Sequence, residues 1–358
     1  MEKSSRDKLN LFFCINNLKK GGAEKQLNYI SNYLSTKYNI FIFTSEKTRS
    51  NYNFKSKIKI YSPKNIFFFF FFIKKLLTIK PNFVFFILPK SYFLFGSILI
   101  FFPKTRSILM RRSLNYYHSN KIFKYYEIFL HKFTDYFICN SYAAKRQLIK
   151  KEYVSEKKVS VIDNYIYHNN LSIQTKKNSR FKIICISNFY KYKGHMLLLR
   201  SLSLIKEIPW ELYLMGESRD ISIKEIKRNI AKLGIKKRVK FIKKIKKNYT
   251  YPNFCLGVLF SETESFPNVI LEYFQLKLPV IAFNVGDIGR LVNNDNGLIL
   301  KKRKENYVSQ KILSLYNDKN LKLKSKNSQI LLRKFTNKER TLAKFHKILK
   351  KMYVRNNW

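Results

Sequence analysis

Two glutamates separated by seven residues, Glu264 and Glu272, bound the segment ESFPNVILE that follows Ser261-Glu-Thr. Pro267 sits where a first helical turn should begin, and Ser265 is placed to cap it. Glu264 then falls in the loop at the helix mouth, with Glu272 on the helix one turn beyond Asn268. Free N–H groups at a helix start attract phosphate oxygens, and carboxylates accept hydrogen bonds from sugar hydroxyls. That combination suits a sugar carried on a phosphate, although two unrelated glutamates on an exposed helix would give the same spacing. Near the amino terminus, Gly21 and Gly22 precede an amphipathic stretch. Glycine there permits close backbone approach to a phosphate or acceptor, or serves only a tight turn. The cysteines 14, 139, 185 and 255 are scattered singly without a CxxC or Cys/His cluster, which argues against structural zinc and disulfides and for a reducing compartment.

Residues of this kind need a scaffold of repeated strands and helices. At 358 residues the chain exceeds the size at which one core stops growing, so two domains are expected. A hydrophobic fraction of 46% and an aromatic fraction of 16% exclude a disordered polycation. Strand-length apolar runs at 11–15, 40–44, 57–61, 83–88, 107–110, 136–139 and 159–162 alternate with helical stretches at 23–34, 92–102 and 119–132. A second alternation follows: strands at 182–187, 211–215, 239–242, 256–260 and 280–283, and helices at 196–206, 222–233 and 268–276, before a basic helical tail. This is the signature of parallel βαβ units, and hence of an α/β fold. Residues 1–170 read as one domain, 171–180 as a polar linker, 181–334 as a second domain, and 335–358 as a C-terminal helix packing back on the first. Two doubly wound sheets would leave a cleft faced by the carboxyl ends of their strands.

At this point the sequence resembles the retaining GT-B glycosyltransferases of family 4, the glycosyl transferases group 1, whose fold is two Rossmann-like domains facing a central cleft. Their donor pattern, E-[GS]-F-[GP]-x4-E followed by a Pro-Val stretch and a Gly-rich turn, matches residues 264–272, 278–287 (LPVIAFNVGD) and 296–300 (NGLIL). The resemblance implies that Glu264 contacts donor-sugar hydroxyls and that Glu272 bonds the ribose of a nucleotide sugar. Ser265, Phe266, Pro267 and Asn268 would complete that side of the donor site. Residues 183–195 (IICISNFYKYKGH) resemble the segment that opens the second domain, where Lys193 would neutralise the donor diphosphate. Glu264 and Lys193 are the implied catalytic pair. Asn188 stands in the donor site where many relatives carry arginine, a cation Lys191 could supply, while His195 reads as a packed or solvated helix residue. Gly21-Gly22-Ala23-Glu24 resembles the family's Gly-Gly-x-Glu loop, which puts Gly22 against the donor. Residues 139–142 (CNSY) and 161–166 (VIDNYI) resemble the strand ends before the linker, with Tyr165 where glycine is common.

Departures from the pattern matter as much. Where relatives place an acceptor-facing histidine, this chain has Arg111-Arg112-Ser113, so Arg112 and His118 are the acceptor-side candidates. Gly289-Arg290 replaces a frequent Pro-Glu. No Asp-x-Asp occurs, so no metal is expected and Lys193 with a helix N-terminus would hold the diphosphate.

The formal charge is +49, mostly lysine, in a chain also rich in Asn, Ile, Phe and Tyr, a bias that an AT-rich genome would produce. Residues 224–247 hold a dozen basic side chains: a solvated surface, or a footprint for anionic membrane, nucleic acid or phosphorylated substrate. No nucleic-acid module is recognisable. The first ten residues lack a signal-peptide core. Residues 66–73, with six consecutive Phe, are too short to span a bilayer, and Pro89 and Lys90 interrupt 83–102, read as a strand and a helix rather than a span. The Phe-rich helix is instead suited to lie in a membrane interface.

The expectation is a metal-independent hexosyltransferase-type enzyme with no cofactor, peripheral on the inner face of the cell membrane. It would move a sugar, with retention, from a nucleotide diphosphate sugar to a glycan or lipid-linked acceptor in cell-surface polysaccharide or lipopolysaccharide synthesis. The alternatives are a catalytically inactive GT-B-like protein binding membrane or nucleic acid through its basic surface, and a nucleotide-sugar epimerase of similar form.

Overall fold

A computed structural model describes residues 8–19, 21–47, 50–63, 67–114, 120–166, 180–242 and 252–354. The chain divides into two compact units, Met1–Tyr165 with Lys338–Trp358, and Ile166–Asn337. The first unit runs β1 (Asn10–Ile15), α1 (Gly22–Leu34), β2 (Asn39–Thr44), β3 (Lys59–Tyr61), α2 (Phe68–Ile79), β4 (Phe83–Ile87) and α3 (Pro89–Phe95). It continues with β5 (Arg106–Arg111), α4 (Lys121–Lys132), β6 (Tyr136–Cys139), α5 (Tyr142–Lys151) and β7 (Val159–Val161). The second unit contains β8 (Phe181–Ile186), α6 (His195–Ser203), β9 (Trp210–Met215), α7 (Ile223–Lys232), β10 (Val239–Phe241) and β11 (Leu256–Leu259). After these come α8 (Asn268–Gln275), β12 (Val280–Phe283), α9 (Ile288–Leu291), β13 (Gly297–Leu300), α10 (Glu305–Tyr316) and α11 (Leu321–Thr336). The last helix, α12 (Lys338–Val354), belongs to the first unit.

Both sheets are wholly parallel and doubly wound. Strand order is β3-β2-β1-β4-β5-β6-β7 in the first and β10-β9-β8-β11-β12-β13 in the second. In each, the order reverses beside the first strand of the unit, between β1 and β4 and between β8 and β11. Parallel strands are covered on both faces, which is why β4 (FVFFI) and β12 (VIAF) are apolar at every position and buried throughout. One face of the first sheet packs on α1 and α12 through Leu27, Ile30, Leu34, Leu342, Phe345 and Leu349. The other face takes Phe72 and Leu76 of α2, Tyr92 and Phe95 of α3, and Leu130 of α4. Each such aromatic, fully buried, contributes about 1.5–3 kcal/mol of transfer free energy.

Three expectations change at this level. The helix expected over 92–102 is α3 followed by a separate 3₁₀ turn at Ser97–Phe101, with Gly96 at the junction, where a Cβ would lie 2.6 Å from the Tyr92 carbonyl oxygen. The domain division falls at 165/166 and 337/338 rather than at 170 and 334, because Asn337, with ψ 94°, breaks the tail helix just before α12. Strand β13 and helix α5 were not expected from sequence pattern. The linker positions 171–179 lie outside the described residues.

Candidate active site

At the point where the second sheet reverses its strand order, two loops leave neighbouring strands. The loop after β8 ends in a 3₁₀ turn at Lys191–Lys193, and the loop after β11 carries residues 260–267. Open α/β sheets bind ligands at such a position, outside the carboxyl ends of the strands. Lys193 and Glu264 meet there: Lys193 Nζ donates to Glu264 Oε1 at 2.5 Å, and Ser261 Oγ donates to the same oxygen at 2.8 Å. The pair is neither open to bulk water nor sealed, with side chains 17% and 14% exposed.

Close backbone approach fixes this geometry. Gly194 has φ +71°, and a Cβ there would come within 2.5 Å of the Phe260 carbonyl oxygen, so glycine alone lets the two loops touch. The Glu262 N–H donates to the Tyr192 carbonyl at 2.8 Å, joining them again. A third loop, after β12, supports Glu264 from below. Gly286 (φ +60°) packs so tightly that a Cβ would fall 1.9 Å from the Glu264 carbonyl oxygen, and the Asp287 N–H donates to the Ser265 carbonyl at 3.0 Å.

Helix α8 is set by Tyr273, buried one residue after Glu272. Its hydroxyl donates to the Val258 carbonyl on β11 and accepts from the Ile186 N–H at the end of β8, both at 2.8 Å. Its ring covers Gly257, where a Cβ would lie 2.6 Å from the ring. With Tyr273 locked inward, Glu272 is half-buried beside it, and Asn268 is also half-buried at the first turn. Ser265 does not cap α8: Pro267 occupies the cap position without any side-chain cap, and the buried Ser265 serves instead through its carbonyl. Phe266 is buried against Phe335 of α11 at 5.6 Å between ring centroids.

Asn188 spends its side-chain oxygen within the loop, accepting from the Glu217 N–H at 3.0 Å. Lys191 is exposed, its N–H donating to Asp220 at 3.4 Å. His195 is buried at the start of α6 with Nε2 against Ser187 Oγ at 2.8 Å, and burial pushes its pKa down to about 4.

In the first unit Gly22 opens α1, and the Tyr52 hydroxyl clamps the residue before it, accepting from the Gly21 N–H at 3.0 Å and donating to the Gly21 carbonyl at 2.8 Å. Gly21 is extended rather than left-handed; it is small because the Glu24 carboxylate lies 2.0 Å from where its Cβ would be. Burial raises the pKa of Glu24. Arg112, after β5, donates to Asn164 Oδ1 at 2.6 Å, and Asn140 after β6 donates to the Arg112 carbonyl at 3.2 Å, so three strand ends converge. Burial lowers the Arg112 guanidinium to about 10, which leaves it charged at neutral pH. His118 lies outside the described residues.

The neighbouring arginine has a different fate. Arg111 is buried and its Nη2 pairs with Glu127 at 3.0 Å and Glu152 at 2.5 Å, while His131 Nε2 lies 2.7 Å from Glu152. Glu127, His131 and Glu152 have metal-ligand chemistry and spacing, but the guanidinium of Arg111 already supplies the cation between the carboxylates. Sequence reasoning had singled out none of these four as a cluster, nor Ser261, Tyr273, Asn140 and Asn164. Only strand-end positions in a doubly wound sheet would have pointed to them.

Residues 180–318 match the family model described as glycosyl transferases group 1. The O-antigen biosynthesis glycosyltransferase WbnH of Escherichia coli is 22% identical over 321 residues, 86% of this chain and 90% of that protein. Among solved structures, Anabaena Alr3699/HepE in complex with UDP-glucose superposes with TM-score 0.80 at 15% identity, over 96% of this chain and 100% of that one. The lipopolysaccharide outer core galactosyltransferase WaaB gives 0.72 at 16% identity, over 94% and 99%. The two doubly wound units have the GT-B fold, and with its second unit matching group 1 the chain is a glycosyltransferase of the hexosyl-transferring kind.

Proposed function

We propose that this enzyme moves a hexose from a nucleotide diphosphate sugar to a glycan or lipid-linked acceptor, with retention and without a metal, in cell-surface polysaccharide or lipopolysaccharide synthesis. The observation that carries the reading is the Lys193–Glu264 pair at the strand-order reversal of the second sheet. The O-antigen and lipopolysaccharide roles of similar proteins, and the UDP-glucose held by HepE, favour this substrate class.

In this reading Lys193 exchanges part of its contact with Glu264 for the diphosphate, freeing carboxylate oxygens for the sugar hydroxyls. As the bond from C1 to the diphosphate breaks, charge grows on the leaving oxygen beside the fixed ammonium, while the sugar becomes oxocarbenium-like. The acceptor hydroxyl adds to C1 on the same face, and its proton passes to the departing diphosphate, which is why no protein nucleophile is needed. Glu272 takes the ribose. Asn188, Ser265, Phe266, Pro267 and Asn268 line the donor. A thermal-shift screen with UDP- and GDP-sugars tests the reading. A ligand at a hundred times its Kd adds about 2.7 kcal/mol of stability. Absence of any shift, with salt-sensitive retention on nucleic acid instead, would favour the inactive binding protein.

The peripheral membrane contact rests on the first unit. Helix α2 buries Phe72 and Leu76 and exposes Phe69, Phe70 and Leu77 around Lys74, with Phe67 exposed just before it. On the same sheet face, Phe101 is 82% exposed and α4 exposes Ile122, Phe123, Tyr125 and Phe129 next to Lys121. Apolar area among lysines suits an anionic lipid interface. Among the described residues no helix is long and apolar enough to cross a membrane. Binding to vesicles containing anionic lipid should be reversed by high salt or alkaline carbonate; release by detergent alone would contradict a peripheral contact.

A further inference from the structure

We infer that Arg303 is a positioning residue of the donor site, holding in place the loop that carries Glu264. Arg303 follows β13, far in sequence from that loop and outside the motifs that mark the donor site. Its Nη1 donates to the Phe260 carbonyl at 2.9 Å and its Nη2 to the Ser261 carbonyl at 2.5 Å, the first two residues beyond β11. A planar guanidinium can take two adjacent carbonyls at once, which a lysine cannot reproduce. The guanidinium also lies over the ring of Phe283, 4.0 Å from its centroid, so the fork is held on one side by the last residue of β12.

The two carbonyls are well chosen. Phe260 is the residue against which Gly194 packs, directly after Lys193, and Ser261 is the residue whose hydroxyl bonds Glu264 Oε1. Turning either peptide would move Ser261 Oγ off the carboxylate and loosen the Gly194 contact. Arg303 touches neither member of the ion pair. It acts through the backbone that aims Glu264, as a side chain that locks a functional group in one geometry. An arginine on a solvent-facing loop needs some such reason to spend its donors on backbone carbonyls rather than on water. The inference rests on the reading of Glu264 as the residue that meets the donor sugar.

Two measurements separate it from that reading. The first is amide hydrogen exchange of peptides covering 260–266 in the protein without ligand, for the parent, Arg303→Met and Arg303→Lys. Methionine keeps the apolar contact with Phe283 but no donor; lysine keeps the charge on a single donor nitrogen without the planar fork. Exchange in that loop should rise about tenfold or more in Arg303→Met and by less in Arg303→Lys, with the melting temperature of both close to the parent. Unchanged exchange would overturn the clamp whatever the site binds.

The second is calorimetric binding of UDP and UDP-glucose, with GDP and GDP-mannose as the alternative pair, together with turnover of the better donor. In Arg303→Met, affinity for the nucleoside diphosphate should stay within about twofold of the parent. The additional affinity contributed by the sugar should fall, and kcat should drop more than KM rises, with partial rescue by lysine. Faster exchange with an unchanged sugar contribution would mean that the clamp exists but Glu264 is not the sugar contact. Equal losses for nucleotide and nucleotide sugar would overturn the positioning role in favour of a general structural one.

Discussion

Each unit gathers charged side chains at or beside the carboxyl ends of its strands, but the two collections are built to different ends. In the first, Arg111 joins Glu127 and Glu152 with all three side chains at most 4% exposed, and His131 closes the group. The guanidinium Nη2 pairs with both carboxylates, and Gln147 and Tyr92 take up further bonds, Gln147 to Glu152 at 3.1 Å and Tyr92 to His131 at 3.0 Å. In the second, Lys193 and Glu264 form a single contact in a mostly buried but not sealed position, on loops that glycines let approach. In the dry cluster both carboxylates are already paired with the guanidinium, and the charges are held by their own partners. A point charge bonded to one oxygen of a partly exposed carboxylate can change partner. Burial and denticity, rather than the presence of opposite charges, separate the scaffold from the site.

The sharpest way to break this contrast is to remove the cation of the buried cluster. Arg111→Met leaves two buried carboxylates without their partner and should cost about 3–5 kcal/mol, read as a lower urea midpoint, with nucleotide affinity at the intact second unit unchanged. An unaltered midpoint would show that the cluster is not the scaffold described.

Acid probes the two buried histidines. Burial lowers the pKa of His131, and that of His195 to about 4. Because the folded form binds its proton less readily than the unfolded chain, the stability associated with each is complete above about pH 6.5 and is lost as pH falls toward the folded value. For His195 the window is about pH 6.5 to 4, with a slope of up to about 1.4 kcal/mol per pH unit. His195→Gln should flatten that part of the urea-midpoint profile; a profile identical to the parent would assign the acid sensitivity elsewhere. A smaller effect is expected at Glu272, where alanine should weaken nucleoside diphosphate binding by about 1–2 kcal/mol while leaving the melting temperature nearly unchanged. Equal affinity in the variant would remove the ribose assignment.

Much of the scaffold was readable because parallel strands buried on both faces are apolar without interruption, as in residues 83–87 and 280–283. The Lys193 and Glu264 segments were also readable, since each lies in a compact motif directly after such a strand. What escaped reading depends on contacts between distant residues. Tyr273 appears in sequence as one apolar residue of a helix, and only its placement beneath β8 and β11 reveals the hydroxyl joining them. Ser265 carries the local signature of a cap, but Pro267 takes that position and the loop after β12 claims the Ser265 carbonyl. Arg111 and Arg112 are adjacent and chemically identical, and strand alternation sends one into the core and the other toward Asn164. Six consecutive phenylalanines suggest a single apolar block, whereas helical periodicity divides them between the core and the surface.

The central claim, that the partly accessible pair serves chemistry and the fully buried cluster serves the fold, is tested most directly by turnover of Lys193→Ala with its melting temperature recorded alongside. The departing diphosphate gains charge in the transition state, so a fixed ammonium stabilises that state more than the bound donor. kcat should fall by roughly a hundredfold or more, the scale of losing one preorganised electrostatic group, with the melting temperature close to the parent and only partial recovery in Lys193→Arg. Full activity in Lys193→Ala, or a loss of activity that follows a loss of folding, would contradict it.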